Sequence, residues 1–331
     1  MNKSRNIFLL LFIFFVFIGC NKKMERVDKE KFTFGTYLKI SAFSENKKQA
    51  EKIIDESFEE IERIDSKYNS KTPKSLTSEL NKKGSVIFDE EGIYLLDEVK
   101  KGYNLSNGKY DITMGPLMKV WGFSEEVPPL EKLPLEKDLN IAASKVDFSK
   151  VKVSGNKIYF ETQGMEIDTG SFLKGYAVEK AKEKMIKSGI KSGFITSISS
   201  ISAIGGKGDG SPWKIGIQNP DNPSKILGTI DLKDQSMGVS GDYQTYIEID
   251  GEKYHHILDK STKYPVSDKK MVVVVNKSAL DADMYSTVFF LMPIEEVIRY
   301  ANNKENLDVL IVDNKNIIHM SKNIKFKEIS N

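Results

Sequence analysis

Between Ser240 and Thr287 the chain gathers residue types suited to acid–base and metal chemistry. Ser240-Gly241-Asp242-Tyr243 comes first, then His255-His256-Ile257-Leu258-Asp259, then Asp281-Ala282-Asp283-Met284-Tyr285-Ser286-Thr287. Two of the three histidines lie here. Asn276 to Ser278 supply a capping signal ahead of an apolar-rich run, which predicts a helix over 278–292. Asp283 and Thr287 then stand one turn apart on one face. A carboxylate and a hydroxyl at that spacing offer two hard oxygen ligands, suited to Mg²⁺ or Ca²⁺ better than to zinc. The competing reading is a polar stripe on a surface helix. The histidine pair follows a strand-like run in which Tyr243, Ile247 and Ile249 share a face, with a turn at Asp250-Gly251. A lone histidine in such a place is as a rule structural.

The elements that hold these residues must come from a chain of 331 residues, 40% hydrophobic and 29% charged, which is enough apolar material for a large core. Lys+Arg 49 against Asp+Glu 47 leaves a net charge of +2, so no basic field marks nucleic acid as a partner. At the N-terminus Lys3 and Arg5 precede an uncharged run from Ile7 to Ile18 and then Gly19-Cys20, the pattern of a secretory signal. That run is too short for a comfortable membrane span. Cys20 is the only cysteine, so it has no internal disulfide partner. Phe17-Ile18-Gly19-Cys20 resembles a bacterial lipobox, with Phe17 in place of the usual leucine. The resemblance implies a signal peptide over 1–19, lipidation at Cys20, a polar linker to residue 31, and a lipid-anchored domain over 32–331 on the extracytoplasmic (periplasmic) side of a bacterial cell membrane.

Along that domain, residues 32–42 alternate like one strand containing Gly35-Thr36. Ala50, Ile53, Ile54, Phe58, Ile61 and Ile64 fall at helical spacing within 46–68. Residues 66–81 are polar, contain Pro73 and predict a loop. Ile93, Leu96, Val99 and Tyr103 mark a second helix ending before Asn107-Gly108. Residues 124–138 are Pro-rich and acidic, a surface excursion. Strands are expected at 157–161 and 165–168, the latter leading through Thr169-Gly170-Ser171-Phe172 into a helix capped by Gly189. An acidic strand end, a small-residue turn and a helix N-terminus together suit a phosphate or metal. The run Gly205-Gly206-Lys207-Gly208-Asp209-Gly210 lies between strand-like 201–204 and 213–217 and is read as a hairpin loop rather than a phosphate loop, since no Ser or Thr follows the lysine. Strands at 271–276 and 307–312 and a helix at 294–302 complete a mixed α+β chain.

Taken in order, these segments resemble the ApbE-type family of FAD:protein FMN transferases over nearly the whole mature chain. The motifs are Phe34-Gly35-Thr36, Tyr68, residues 78–81, and Gly108-Lys109-Tyr110-Asp111-Ile112-Thr113-Met114-Gly115-Pro116-Leu117 followed by Trp121-Gly122-Phe123. Further on come Asp168 to Ala177, Ser240 to Tyr243, His256 to Pro265 and Ala282 to Thr287. The resemblance implies Mg²⁺ held by Asp283, Thr287 and the backbone carbonyl of Ser171, and FAD contacts at Phe34, Tyr68, Lys109, Tyr110, Asp111, Asp168, Lys174 and Leu258. There are three departures from the family pattern. Phe34 replaces a methionine, Lys263 stands where a glycine is usual, and Ile198-Ser199-Ser200 replaces a Gly-Gly-Asn or Gly-Gly-Asp loop.

In the reaction so implied, a Thr or Ser hydroxyl of an acceptor protein attacks the FMN phosphorus of FAD and AMP leaves. His256 can take the hydroxyl proton and Asp259 can orient it. The implied acceptor is an exported or membrane redox protein, such as an Rnf/Nqr-type flavin subunit. Two rivals use the same site: a Mg²⁺-dependent FAD pyrophosphatase, and a lipoprotein that binds FAD without catalysis. Asp283 is expected to be an exposed ligand, so that its removal leaves stability almost unchanged.

Overall fold

The run Met271-Val272-Val273-Val274-Val275 is apolar at every position, which a strand tolerates only where both of its faces are covered. It forms the heart of strand Lys269–Asn276 in the structure, a computed structural model that describes residues 24–124 and 130–329. This strand lies inside an eight-stranded sheet, antiparallel throughout, in the order Glu25–Thr33, Thr36–Ser44, Gly193–Thr196, Ser200–Ile204, Ser236–Gly241, Lys269–Asn276, Leu307–Asp313, Ile318–Met320. Val272 and Val274 face a helical layer together with Leu38, Ile40, Ile195 and Val309. Met271, Val273 and Val275 face a second sheet through Trp213, Ile217, Ile230 and Leu232. That sheet is built from Trp213–Asn219, Asn222–Leu232 and Phe326–Glu328. Each valine so buried contributes about 1.5–3 kcal/mol.

The helical layer comprises Lys47–Tyr68, Glu90–Leu105, Leu173–Lys187, Ala279–Phe290 and Ile294–Asn302. The first begins where expected, with the Asn46 side chain accepting from Gln49 N at 3.1 Å, and its apolar stripe Ile53, Ile54, Phe58, Ile61 and Ile64 is buried. In Ala279–Phe290, Ser278 caps through its side chain. Two glycines let this helix sit unusually close to its neighbours. A Cβ at Gly238 would lie 2.1 Å from the Ala282 carbonyl oxygen, and one at Gly175 would lie 2.3 Å from the Asp283 Cβ. A smaller sheet of Ser85–Ile87, Lys157–Phe160 and Val151–Ser154 stands to one side. Around Trp121 a third apolar cluster gathers Leu117, Leu139, Ala142, Val146 and Leu258.

Several expectations are corrected. Residues 32–42 are not one strand: Phe34 (φ 52°) and Gly35 (φ 67°) turn the chain, and Glu25–Thr33 pairs back along Thr36–Ser44. The supposed linker therefore becomes an edge strand from Glu25 onward. Positive φ at both central residues matches the twist of a two-residue hairpin. The loop over 66–81 contains the start of a helix, Leu76–Lys83, capped by Ser75. Residues 165–168 make no strand. Met165 and Ile167 are buried as alternation requires, but the Ile167 backbone pairs with the Asn81 side chain and Glu166 makes only an isolated bridge to Met114. The glycine-rich run 205–210 is no hairpin loop either, since the strand before it belongs to the large sheet and the strand after it to the second sheet. The chain reaches helix Glu136–Ala143 inside the expected surface excursion. Lys263 adopts φ 66°, so the glycine-like turn is kept despite its side chain.

The N-terminal signal, the lipobox and Cys20 lie outside the described residues. Among the described residues, no helix is long and apolar enough to cross a membrane.

Candidate active site

The ends of the central strands, the N-terminus of Leu173–Lys187, the segment 106–123 with its short helix Gly115–Val120 and the loop 256–265 surround a cavity of about 600 Å³. That volume lies within the usual range for small-molecule sites. The cavity brings together Phe34, Lys109, Tyr110, Asp111, Asp168, Ser171, Lys174, His256, Leu258, Asp283 and Thr287 from across the chain. Tyr68 and Asp259 do not line it. The Tyr68 hydroxyl turns instead to Asp89 and Glu91, at 2.5 and 3.0 Å. The Asp259 carboxylate accepts from Ser261 N and Ser261 Oγ, closing its own turn, and makes no contact with His256.

Asp283 is 5% exposed, not the open ligand expected of a surface helix. Its Oδ2 accepts the Gly175 N–H at 2.8 Å and its Oδ1 accepts the Ser200 hydroxyl at 2.7 Å. Burial pushes the carboxyl above the ordinary range, opposed by Lys174, by the Ser200 hydroxyl and by the Gly175 N–H. Gly175 sits in the first turn of its helix, where N–H groups lack internal partners, so a side chain from a second helix caps the first. The Gly175 N–H thus goes to Asp283 rather than to the Ser171 carbonyl four residues back, although Leu173 N bonds Thr169 O at 3.1 Å and Tyr176 N bonds Phe172 O at 3.0 Å on either side of it. Thr287 Oγ1 lies 3.2 Å from Ser240 Oγ, one turn beyond Asp283.

These donors test the implied metal. One carboxylate with two of its roughly four acceptor positions taken, one hydroxyl and one carbonyl outside the helix ladder form an all-oxygen set, which fits a hard cation such as Mg²⁺. Among the described residues, no three His, Cys, Asp or Glu side chains gather as a metal set. A cation held here would complete its shell with water or substrate phosphate, as Mg²⁺ commonly does.

The two histidines divide their roles. His255 is 7% exposed, its Nε2 is 2.6 Å from the Val266 carbonyl oxygen, and its Nδ1 accepts from Ile257 N at 3.2 Å. Both ring nitrogens are used, so it is structural and neutral, and burial lowers its pKa to about 4. Unfolded chain binds this proton near pH 6.5 and folded chain only near 4, so stability is full above about 6.5 and falls as pH drops toward 4. Urea titrations at pH 7.5 and 4.5 should differ by up to about 3 kcal/mol from this group, and His255→Gln should flatten that difference. His256 faces the cavity. Its Nδ1 is 3.1 Å from the Thr245 carbonyl oxygen, which can only accept, so Nδ1 carries the proton and Nε2 is left as a base. Burial lowers its pKa, so the ring is neutral at neutral pH.

The Asp111 carboxylate is fully engaged: Oδ1 takes Thr113 N and Thr113 Oγ1, while Oδ2 takes Phe148 N and Lys260 Nζ. Tyr110 is buried with its hydroxyl 2.9 Å from Ser171 Oγ. The Asp168 carboxylate accepts from Gly170 N at 2.7 Å and its own N–H bonds Ile112 O, tying the turn before the helix to the 106–123 loop. Trp121 is buried among Tyr254 and Tyr264, whereas Phe123 reaches the cavity beside His256. Sequence reasoning missed Ser200 as the partner of Asp283, and missed Lys71, Gln244 and Thr245 as wall residues. Ser200 belongs to the Ile198-Ser199-Ser200 departure, so the sequence marks the place but not the hydrogen bond.

Against known proteins, the ApbE family model matches residues 34–311. The chain belongs to the ApbE family. It is 26% identical over 314 residues to the FAD:protein FMN transferase of Vibrio cholerae serotype O1, covering 93% of this chain and 94% of that one. It is 25% identical over 322 residues to the protein of that description from Buchnera aphidicola subsp. Schizaphis graminum, covering 96% and 94%. Among solved structures, the ApbE protein of Thermotoga maritima aligns with TM-score 0.82 and 27% identity over 90% of this chain and 97% of that one. The flavin transferase ApbE of Vibrio cholerae aligns with TM-score 0.79 and 24% identity over 90% and 98%, a likeness of fold.

Proposed function

We propose that this protein transfers FMN from FAD to a Thr or Ser hydroxyl of an acceptor protein and releases AMP. The observation that carries the reading is the convergence of Asp283, Thr287, the Ser171 turn, Lys174 and His256 on one cavity, in a chain whose family relatives are described as FAD:protein FMN transferases. Lys109, Lys174 and the N-terminus of helix Leu173–Lys187 present positive charge where a pyrophosphate would lie. Asp283, Thr287 and the Ser171 carbonyl would hold Mg²⁺, which when bound supplies charge neutralisation on the phosphates. His256 Nε2 takes the proton of the acceptor hydroxyl as its oxygen bonds to the FMN phosphorus. The bond from that phosphorus to the bridging oxygen breaks, and AMP departs with the electron pair. Phe34, Leu258, Met114, Met118 and Phe123 supply apolar surface for a planar ring.

The test is mass spectrometry of an exported flavin-subunit domain incubated with protein, FAD and Mg²⁺. Addition of one FMN to the acceptor with equimolar AMP is expected. Free FMN with unmodified acceptor would mean hydrolysis, and intact FAD would mean binding alone.

We further propose that Cys20 is lipidated and holds the domain on the extracytoplasmic side of the membrane, where the acceptor is an exported or membrane redox protein. Cys20→Ala should leave the lipid-modified pool while the purified domain keeps its activity. Undiminished lipid labelling of that variant would refute the assignment.

A further inference from the structure

We infer that Lys260 is a positioning residue, which sets the spacing between the two cavity walls that carry His256 and Tyr110; this rests on the reading of the cavity as an FAD site. The wall over 256–266 is a hairpin-like excursion closed on itself by backbone bonds from Asp259 N to Tyr264 O, Lys263 N to Asp259 O and Val266 N to Ile257 O, and by the Asp259 and Thr262 side chains within its turn. Nothing within it fixes its lean toward or away from the cavity. The base of the excursion is anchored, with His256 N and Nδ1 both on the Thr245 carbonyl oxygen and Val266 O on His255 Nε2. Among the described residues, three side-chain hydrogen bonds join its outer part, 258–265, to other segments, from Trp121 Nε1 to Lys263 O at 2.8 Å, from Lys263 Nζ to Asn140 Oδ1 at 2.7 Å, and from Lys260 Nζ to Asp111 Oδ2 at 2.8 Å. Of these, only the last reaches a residue that lines the cavity.

It is also the one ion pair among them, and it is sheltered. The Asp111 side chain is 0% exposed and that of Lys260 25%, and the ammonium lies 5.3 Å from the centre of the Tyr103 ring. A charge pair so shielded from water holds its geometry far better than a surface pair, whose ions are solvated separately. Asp111 is in turn fixed by Thr113 and Phe148, and the adjoining Ile112 carbonyl holds the Asp168 N–H. A displacement of Lys260 is therefore transmitted to the floor of the cavity as well as to Leu258 and His256 on its own strand of the excursion.

Lys260→Met keeps most of the stem over Tyr103 and removes the tether. Two readouts separate positioning from mere stability. Hydrogen exchange without FAD, below the melting transition, should show faster exchange at the Asp259 and Val266 amides, a result independent of what the protein catalyses. Flavin fluorescence titration at that temperature should show FAD bound about 10-fold more weakly, and in steady-state assays KM for FAD should rise by about that factor while kcat changes by less than about 3-fold. Should the single variant fold poorly because Asp111 is left buried and charged, Lys260→Met with Asp111→Asn removes that charge; the inference then requires recovered melting with exchange at the Asp259 and Val266 amides still faster than in wild type, a readout that does not depend on Asp111 as an FAD contact. Unchanged exchange overturns it, as does faster exchange with wild-type FAD affinity. If wild-type protein binds no FAD, the functional reading falls and takes the FAD part of the inference with it, whereas wild-type binding without transfer refutes only the transferase reading.

Discussion

Asp283→Asn should abolish FMN transfer while the protein still folds. The amide preserves the volume and one oxygen acceptor but carries no charge, and a divalent cation loses much of its hold when its one anionic protein ligand is neutralised. Labelling of an acceptor should fall by about 10²-fold or more at low Mg²⁺ and recover only in part at high Mg²⁺. Asp283→Ala should lose transfer too, but here the expectation from sequence is revised. The carboxylate is buried, and its removal orphans the Gly175 N–H and the Ser200 hydroxyl. Each unsatisfied group costs about 1–3 kcal/mol, offset by relief of the buried charge, so a net loss on the order of 1–3 kcal/mol is expected in thermal or urea unfolding. Wild-type labelling by Asp283→Asn at low Mg²⁺ would refute the metal site.

His256→Gln should reduce kcat by about 10²–10⁴-fold with FAD affinity nearly unchanged. The glutamine amide can still donate to the Thr245 carbonyl, but it brings no base to the cavity. The pH profile is the sharper readout. Burial holds the His256 pKa below the usual histidine value, so wild-type transfer should be on a plateau at neutral pH and fall as acidification protonates Nε2. That acid limb should vanish in the variant. A variant that keeps both the limb and the rate would assign proton transfer elsewhere.

Much of this arrangement could be foreseen from residue pattern. The helix bearing Asp283 was marked by Asn276 to Ser278, and the first long helix by its isoleucine spacing. Most of the motif residues from Phe34 to Thr287 converge on one cavity, from loops, from the start of helix Leu173–Lys187 and from one face of helix Ala279–Phe290, while Tyr68 and Asp259 turn elsewhere. What stayed hidden depended on contacts that no local pattern encodes. Alternation runs through residues 32–42 as if unbroken, because a two-residue turn leaves the strand period on both sides intact and a bulky Phe34 does not advertise positive φ. The glycine-rich run at 205–210 has strands on either side, but whether two strands pair is decided by the whole sheet. Asp283 looked exposed because its helical face is polar. Its burial follows from Gly175 and Gly238, whose missing side chains admit the helix close enough to be covered.

The hairpin at the sheet edge has a mechanical consequence. Nine residue pairs, from Glu25 with Ser44 to Thr33 with Thr36, separate the first described residues from Phe34 at the cavity. At about 3.3 Å per residue that strand is a strut of roughly 30 Å. Any load transmitted through the chain ahead of Met24 falls first on the far rung of this ladder. Peeling would have to break every rung in turn before it disturbed Phe34, so the strand works as a strain relief between any pull on the chain ahead of it and the cavity.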